Sequence, residues 1–311
     1  MQNFLNTPML QVINILREKT STLKPKEIVE FEVLNPDFST SCYSGTVHTI
    51  DSHEYIYHSY KSWLDLAQIL YCKMLTPLLH GEYSVIIRFQ KLNADVSFHN
   101  SETLAEEKYG STSIFSQIHK NEEPAFLAHY LKALENVKVE SRLRILNLGV
   151  NSGDEFELIH KSIEDFSELE LIGIDYCPSA IALAEEKFKD FSNISFYTHD
   201  INNLESLELG KFDLVISIGT LQSTNLSFNE VLMSVVQKHL KCDGAMILGF
   251  PNCRWIDGEM VYGARVKNYS FSELGLLYKD VVFSKKYLQQ KRFRVTITGK
   301  DYIFITATSI R

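Results

Sequence analysis

The chain has 311 residues, 45% of them apolar and 23% charged, with 31 Lys+Arg against 39 Asp+Glu and a formal net charge of −8. Composition this near to ordinary globular usage excludes a fibrous repeat and a mainly disordered chain, and the length suggests about two domains. The acidic total argues against nucleic acid as a partner of the chain as a whole.

The N-terminal MQNFLNTPMLQVINIL lacks the basic start and small-residue cleavage site of a signal peptide. Up to about Asn100, short β-like runs (Ile28–Leu34, Thr46–Ile50, Tyr83–Gln90) surround a helix expected over Ser62–Leu79. The longest oily stretch, Trp63–Leu79, carries Asp65 and Lys73. It falls short of the roughly 20 apolar residues a spanning helix needs, so no membrane partner is expected. His53 and His58 in HEYIYH superficially resemble a zinc-protease motif. Their spacing in a strand-like run puts them on opposite faces, and no metal is expected. Five cysteines, at 42, 72, 177, 242 and 253, form no CxxC pair. A reduced, cytoplasmic setting follows. The polar HNSETLAEEKYGSTS, His99–Ser113, reads as a linker. It divides an α+β N-terminal domain, residues 1–105, which helps select substrate, from a catalytic domain, residues 106–311.

From Ile114 a helix to about Val137 leads into a regular alternation. Strand-like RILNL (Arg144–Leu148) precedes GVNSG and the helical DEFELIHKSIEDF. LELIGID (Leu169–Asp175) follows, then a helix over Pro178–Asp190 with proline in its first turn. ISFYTHD ends at Asp200, KFDLVISIG spans Lys211–Gly219, and a helix over Phe228–Leu240 leads to AMILGF. Two helices, about Phe271–Tyr278 and Phe283–Lys291, precede RFRVTIT, a TGKD turn and YIFITAT. So short a turn makes the last two strands antiparallel neighbours. Apolar residues on both faces of the last strand place it inside the sheet. The fold expected is α/β: a doubly wound, mostly parallel seven-stranded sheet closed by a C-terminal antiparallel hairpin, beside the smaller α+β domain.

From about Ile114 to Arg311 this order of landmarks resembles the class I S-adenosylmethionine-dependent methyltransferases. The family's first motif, an acid, an apolar residue and Gly-x-Gly-x-Gly, reads here Asn147-Leu148-Gly149-Val150-Asn151-Ser152-Gly153. The acid and the middle glycine are both asparagine. The resemblance implies S-adenosyl-L-methionine as cofactor, with Gly149 and Gly153 letting the backbone pass close to it. Asn151 tolerates φ > 0, and the Asn147 amide oxygen offers the methionine ammonium one acceptor. It further implies that Asp175 takes the ribose hydroxyls, that Asp200 and Ile201 meet the adenine, and that Gly219, Thr220, Leu221 and Gln222 line the methyl-donor end. Taken singly these residues also have plainer uses, close packing for the glycines and a turn or cap for Asp175. Their joint order favours the cofactor.

The implied activity is methyl transfer to a small molecule or RNA. Positioning suffices for it unless the nucleophile must lose a proton, so no catalytic residue is assigned. The Asn-Pro-Pro-Tyr and Pro-Cys signatures of DNA methyltransferases are absent, and Cys253 reads as a buried thiol. Aminopropyl transfer on the same fold is an alternative, although the acid it needs after the fourth strand is absent. A catalytically inactive S-adenosylmethionine-binding module is the other. Substrate candidates are Gln222 and, in the loop Pro251–Lys267, Asn252, Arg254, Tyr262 and Arg265. Lys285 and Lys286 join them, because residues 251–311 hold 11 basic residues against 5 acidic. A basic segment of this kind suits an anionic acceptor if it borders the pocket, and is otherwise a solvated helix face.

Overall fold

The computed structural model describes residues 1–39, 41–97, 107, 109–223, 225–264 and 273–310. The expected boundary at 105/106, Arg265 and the expected helix start at Phe271 lie outside these residues. The chain divides into two compact units, Met1–Ser97 with Trp255–Val261, and Phe98–Arg254 with Tyr262–Arg311.

The first unit begins with β1 (Gln2–Asn3) and α1 (Met9–Ser21), a helix whose buried residues Val12, Leu16 and Thr20 recur every four positions. There follow β2 (Ile28–Leu34), a hairpin of β3 (Val47–Ile50) and β4 (His53–Ile56), α2 (Tyr60–Ile69), β5 (Cys72–His80) and β6 (Ser84–Lys91). A four-stranded sheet in the order β1-β2-β6-β5 packs Phe31, Val33, Ile87 and Phe89 against Val12, Leu16, Trp63 and Leu66 of the helices.

The helix expected over Ser62–Leu79 is corrected to a helix and a strand. Tyr71 turns the chain at φ +54°, and Pro77 cannot continue a helix. Pro77 instead sits where the β5–β6 register shifts, between Leu75 and Leu78, one of the few sheet positions that tolerate a missing N–H.

The second unit opens on single 3-10 turns at Ile114–Gln117 and Lys120–Glu122, then α3 (Pro124–Asn136). The expected helix start at Ile114 is thus ten residues early, and Pro124 in the first turn marks the true one. Alternation follows: β7 (Arg144–Leu148), α4 (Asp154–Ser162), β8 (Glu170–Asp175), α5 (Pro178–Lys187), β9 (Ile194–Thr198), β10 (Phe212–Ile218), α6 (Phe228–Ser234) and β11 (Leu240–Pro251). After β11 come a second short hairpin, β12 (Cys253–Ile256) and β13 (Glu259–Tyr262), then α7 (Gly275–Gln290), β14 (Phe293–Gly299) and β15 (Tyr302–Ser309). Two helices were expected where α7 runs unbroken, because Lys279–Val282 contains neither proline nor glycine.

The seven-stranded sheet has the order β14-β15-β11-β10-β7-β8-β9. All neighbours pair parallel except β15, which is antiparallel to both β11 and β14 and lies inside the sheet, as its two apolar faces require. Successive residues of each strand enter opposite layers. Leu146, Val215, Met246 and Ile305 pack under α6 and α7, while Ile145, Leu214, Ala245 and Phe304 pack under α3 and α4. Burial on both faces is why these strands read as unbroken apolar runs. The strand order reverses between β7 and β10, and the chain segments leaving those two strands flank the crevice there.

Candidate functional site

The turn after β7 is a tight chain reversal. Gly149, Asn151 and Gly153 have φ of +77°, +47° and +83°, and the Gly149 and Val150 N–H groups both donate to the Ile174 carbonyl at 2.7 and 3.0 Å. A Cβ on Gly149 would overlap the Thr220 side chain, and one on Gly153 would lie 2.6 Å from the Phe188 ring. The space these glycines leave is therefore filled by Thr220 and Phe188, so close packing within the protein suffices to require them. Asn151 adopts the left-handed conformation as expected. Its Nδ2 donates to the Tyr109 carbonyl at 2.9 Å, and its Oδ1 accepts from Ser152 N at 2.9 Å.

Asp175 closes β8 half-buried, beside that turn. Its Oδ2 accepts from Asn151 N and its Oδ1 from Cys177 N, each at 2.9 Å. A carboxylate offers about four lone-pair positions, so Asp175 keeps capacity for a further donor. Burial raises the Asp175 pKa above the ordinary value, the backbone N–H groups of Cys177, Asn151 and Tyr176 oppose that rise, and Glu155 adds to it.

Sequence reasoning missed the group behind the turn. Glu155, in the first turn of α4, is 1% exposed, and its Oε1 pairs with Lys120 Nζ at 2.6 Å. Its Oε2 accepts from Asn147 Nδ2 at 3.3 Å. Asn147 is fully buried, and its Oδ1 has no hydrogen-bond partner among the described residues. Tyr130 Oη is likewise buried without one, and its pKa lies well above the ordinary value through burial and the Glu155 charge. The signal was present in the sequence: Glu155 shares the buried stripe of α4 with Leu158 and Ile159, where a carboxylate needs a partner.

The remaining candidates divide. Asp200 caps the turn Ile201–Leu207, accepting from Asn202 N at 2.9 Å, and Ile201 is buried in the core. Gly219 (φ +74°) follows β10, and a Cβ there would lie 3.3 Å from Pro251. Gln222 is half-buried three residues later. Asn252 donates through Nδ2 to the Lys300 carbonyl at 3.2 Å. Arg254 donates to the Gly263 carbonyl at 2.8 Å, a staple across the chain reversal that ends at Tyr262, itself exposed.

Lys285 and Lys286 are not brought to this end of the sheet. Arg294 pairs with Thr308, which is level with Ala245, Leu214 and Ile145, the starts of the parallel strands rather than their carboxyl ends. Both lysines lie in the last two turns of α7, just before that level. Among the described residues, no group of three or more His, Cys, Asp and Glu is placed to hold a metal ion. No helix among them is long and apolar enough to cross a membrane.

Residues 139–293 match a family model described as a methyltransferase domain, and the match takes in Asn147–Gly153, Asp175, Asp200 and Gly219. This segment is a methyltransferase domain. Among relatives of this methyltransferase domain, a carboxy-S-adenosyl-L-methionine synthase of Helicobacter pylori is 29% identical over 159 residues, 50% of this chain and 63% of the synthase. A non-reducing polyketide synthase of Penicillium brasilianum is 32% identical over 127 residues, 39% of this chain and 5% of that protein. The solved N-methyltransferase NodS of Bradyrhizobium japonicum, in complex with S-adenosyl-L-homocysteine, is 16% identical with a TM-score of 0.44, covering 62% of this chain and 91% of its own. The family uses S-adenosylmethionine.

Proposed function

We propose that the chain is an S-adenosylmethionine-dependent methyltransferase acting on a small-molecule or RNA acceptor. The observation that carries this reading is the gathering of Asp175, the Gly149–Gly153 turn and the Gly219–Thr220 turn at the carboxyl ends of adjacent strands, where the sheet order reverses. The residues there suit the cofactor. Asp175 keeps acceptor capacity for the ribose beside its backbone donors. The unpaired Asn147 amide oxygen shows that the polar groups behind the turn are not all satisfied by the protein itself.

When bound, the cofactor supplies an electrophilic methyl group: the acceptor's lone pair forms the new bond as the sulfur–methyl bond breaks, its electrons passing to sulfur. The chain's contribution is positional. Asp175 fixes the ribose, the backbone after β7 sets how closely the ligand approaches, and Thr220 to Gln222 border the methyl-donor end. Asp200 and Ile201, next along the sheet edge, take the adenine. The first unit and the loop after β11, with Asn252 and Tyr262, select the acceptor. Five free cysteines fit a reducing, cytoplasmic setting. Similarity to the Helicobacter pylori synthase supports a sulfonium nucleoside as ligand without fixing the group transferred. The test is a labelled-methyl transfer assay on fractionated cell extract, with RNA kept apart from small molecules. Label arriving in one fraction identifies the acceptor class, and no transfer with retained cofactor binding rejects the catalytic reading.

A further inference from the structure

A carboxylate as buried as Glu155 persists only where charge and hydrogen bonds compensate its lost hydration. Both oxygens are compensated, one by Lys120 at 2.6 Å and the other by the Asn147 amide at 3.3 Å. Position 147 is where the first motif of the family that the sequence resembles carries an acid. With Glu155 in place, an acid at 147 would set two carboxylates about 3.3 Å apart in a buried site, the arrangement that prevents both from ionising. Asparagine supplies a donor there instead. The amide at 147 and the acid at 155 are thus complementary.

Of the three side chains, Lys120 is the one with access outward, 13% exposed against 1% for Glu155 and none for Asn147. An ammonium has three donors, and the Glu155 bond uses one. The turn that carries Lys120 is tied to the start of α4, since Asn121 Nδ2 donates to the Asp154 carbonyl at 3.0 Å. The Lys120 charge is felt from both sides, by Glu155 and Asp154 at the start of α4 and by Asp175 at the end of β8. It is therefore paired with the carboxylate that holds the buried Asn147 amide, and lies within electrostatic reach of Asp175.

We propose that Lys120, held by Glu155 and through it by Asn147, binds the α-carboxylate at the amino-acid end of the nucleoside cofactor. Lys120 touches the ligand, whereas Glu155 and Asn147 act as positioning residues. This rests on the cofactor reading above, and two probes separate their failures. S-Adenosylhomocysteine has the amino-acid end, and 5′-methylthioadenosine is a related thioether that lacks it.

Titration calorimetry on the full chain should show Lys120→Met lowering affinity for S-adenosylhomocysteine by about 10- to 100-fold, the worth of one charge-assisted bond. Affinity for 5′-methylthioadenosine should stay within about twofold. Asn147→Asp, which restores the expected acid, should weaken S-adenosylhomocysteine, and Asn147→Asp combined with Glu155→Gln should recover most of the loss. Thermal melts alongside report whether each variant is folded, and the double variant tests the pairing even where a single one unfolds. Equal loss of both ligands in Lys120→Met, no loss of either, or tighter binding in Asn147→Asp overturns the proposal alone. Failure of both ligands to bind the unaltered chain overturns the cofactor reading and this proposal with it.

Discussion

Asp175 carries more of the account than any other side chain, and its protonation gives the first test. Its carboxylate must be ionised to accept the ribose hydroxyls while already holding backbone N–H groups. Burial raises its pKa, so nucleoside affinity should fall on acidification at a higher pH than an ordinary aspartate would give, which affinity measured across a pH series checks. Stability follows the opposite sign. The folded chain holds this proton more tightly than the unfolded one, so the group stabilises most below the ordinary aspartate value of 3.8, and that contribution declines as pH rises through the folded pKa. Asp175→Ala should weaken nucleoside binding by about 2–4 kcal/mol, the loss of two charge-assisted hydrogen bonds. The thiols give an independent check of burial. Cys72 and Cys253, pushed by burial up to about 11 and about 12, should resist alkylation at pH 8 until the chain unfolds, while exposed Cys242 reacts in the native state. Asp175 was legible in the sequence because a strand end dictates its place. The pairing of Glu155 was not, since its partner Lys120 lies 35 residues away and only folding joins them.

Elements were legible where one residue dominates the local physics. Parallel strands announced themselves as short apolar runs because both faces are buried, and α5 because proline opens it. Misreadings came where an apolar run fits either period: Cys72–His80 was joined to α2 although Pro77 forbids a helix and suits a register shift. The turn after β7 makes a prediction at this scale. Gly153 combines φ +83° with a would-be Cβ contact of 2.6 Å to Phe188, so Gly153→Ala should destabilise the chain by about 1–3 kcal/mol, read from the denaturation midpoint. The insert Trp255–Val261 makes another. Asp257 accepts from Asn93 N at 3.0 Å, and Ile256 and Val261 pack on Leu92 within the first unit. Asp257→Ala should cost about 1–2 kcal/mol by leaving a partly buried donor unpaired.

Across the whole molecule, the net charge of −8 conceals a basic C-terminal segment, with Lys285, Lys286, Lys291, Arg292 and Arg294 all exposed. Strand register puts Arg294 at the opposite end of the sheet from Gly149, something sequence order alone could not convey. Reversing the charge of Lys285 and Lys286 should therefore leave nucleoside affinity within about twofold, because exposed charges at the other end of the sheet are screened by salt. The mostly parallel sheet and the interior place of its last strand were legible from alternation and from the closing hairpin. The pairing of a buried acid at position 155 with the amide at position 147 was not. The central claim is that this sheet presents a sulfonium-nucleoside site, and calorimetric titration of the unaltered chain with S-adenosylhomocysteine tests it most directly. The account predicts saturable one-to-one binding that Asp175→Ala weakens; an absence of binding at physiological cofactor concentrations, or affinity unchanged in Asp175→Ala, would contradict it.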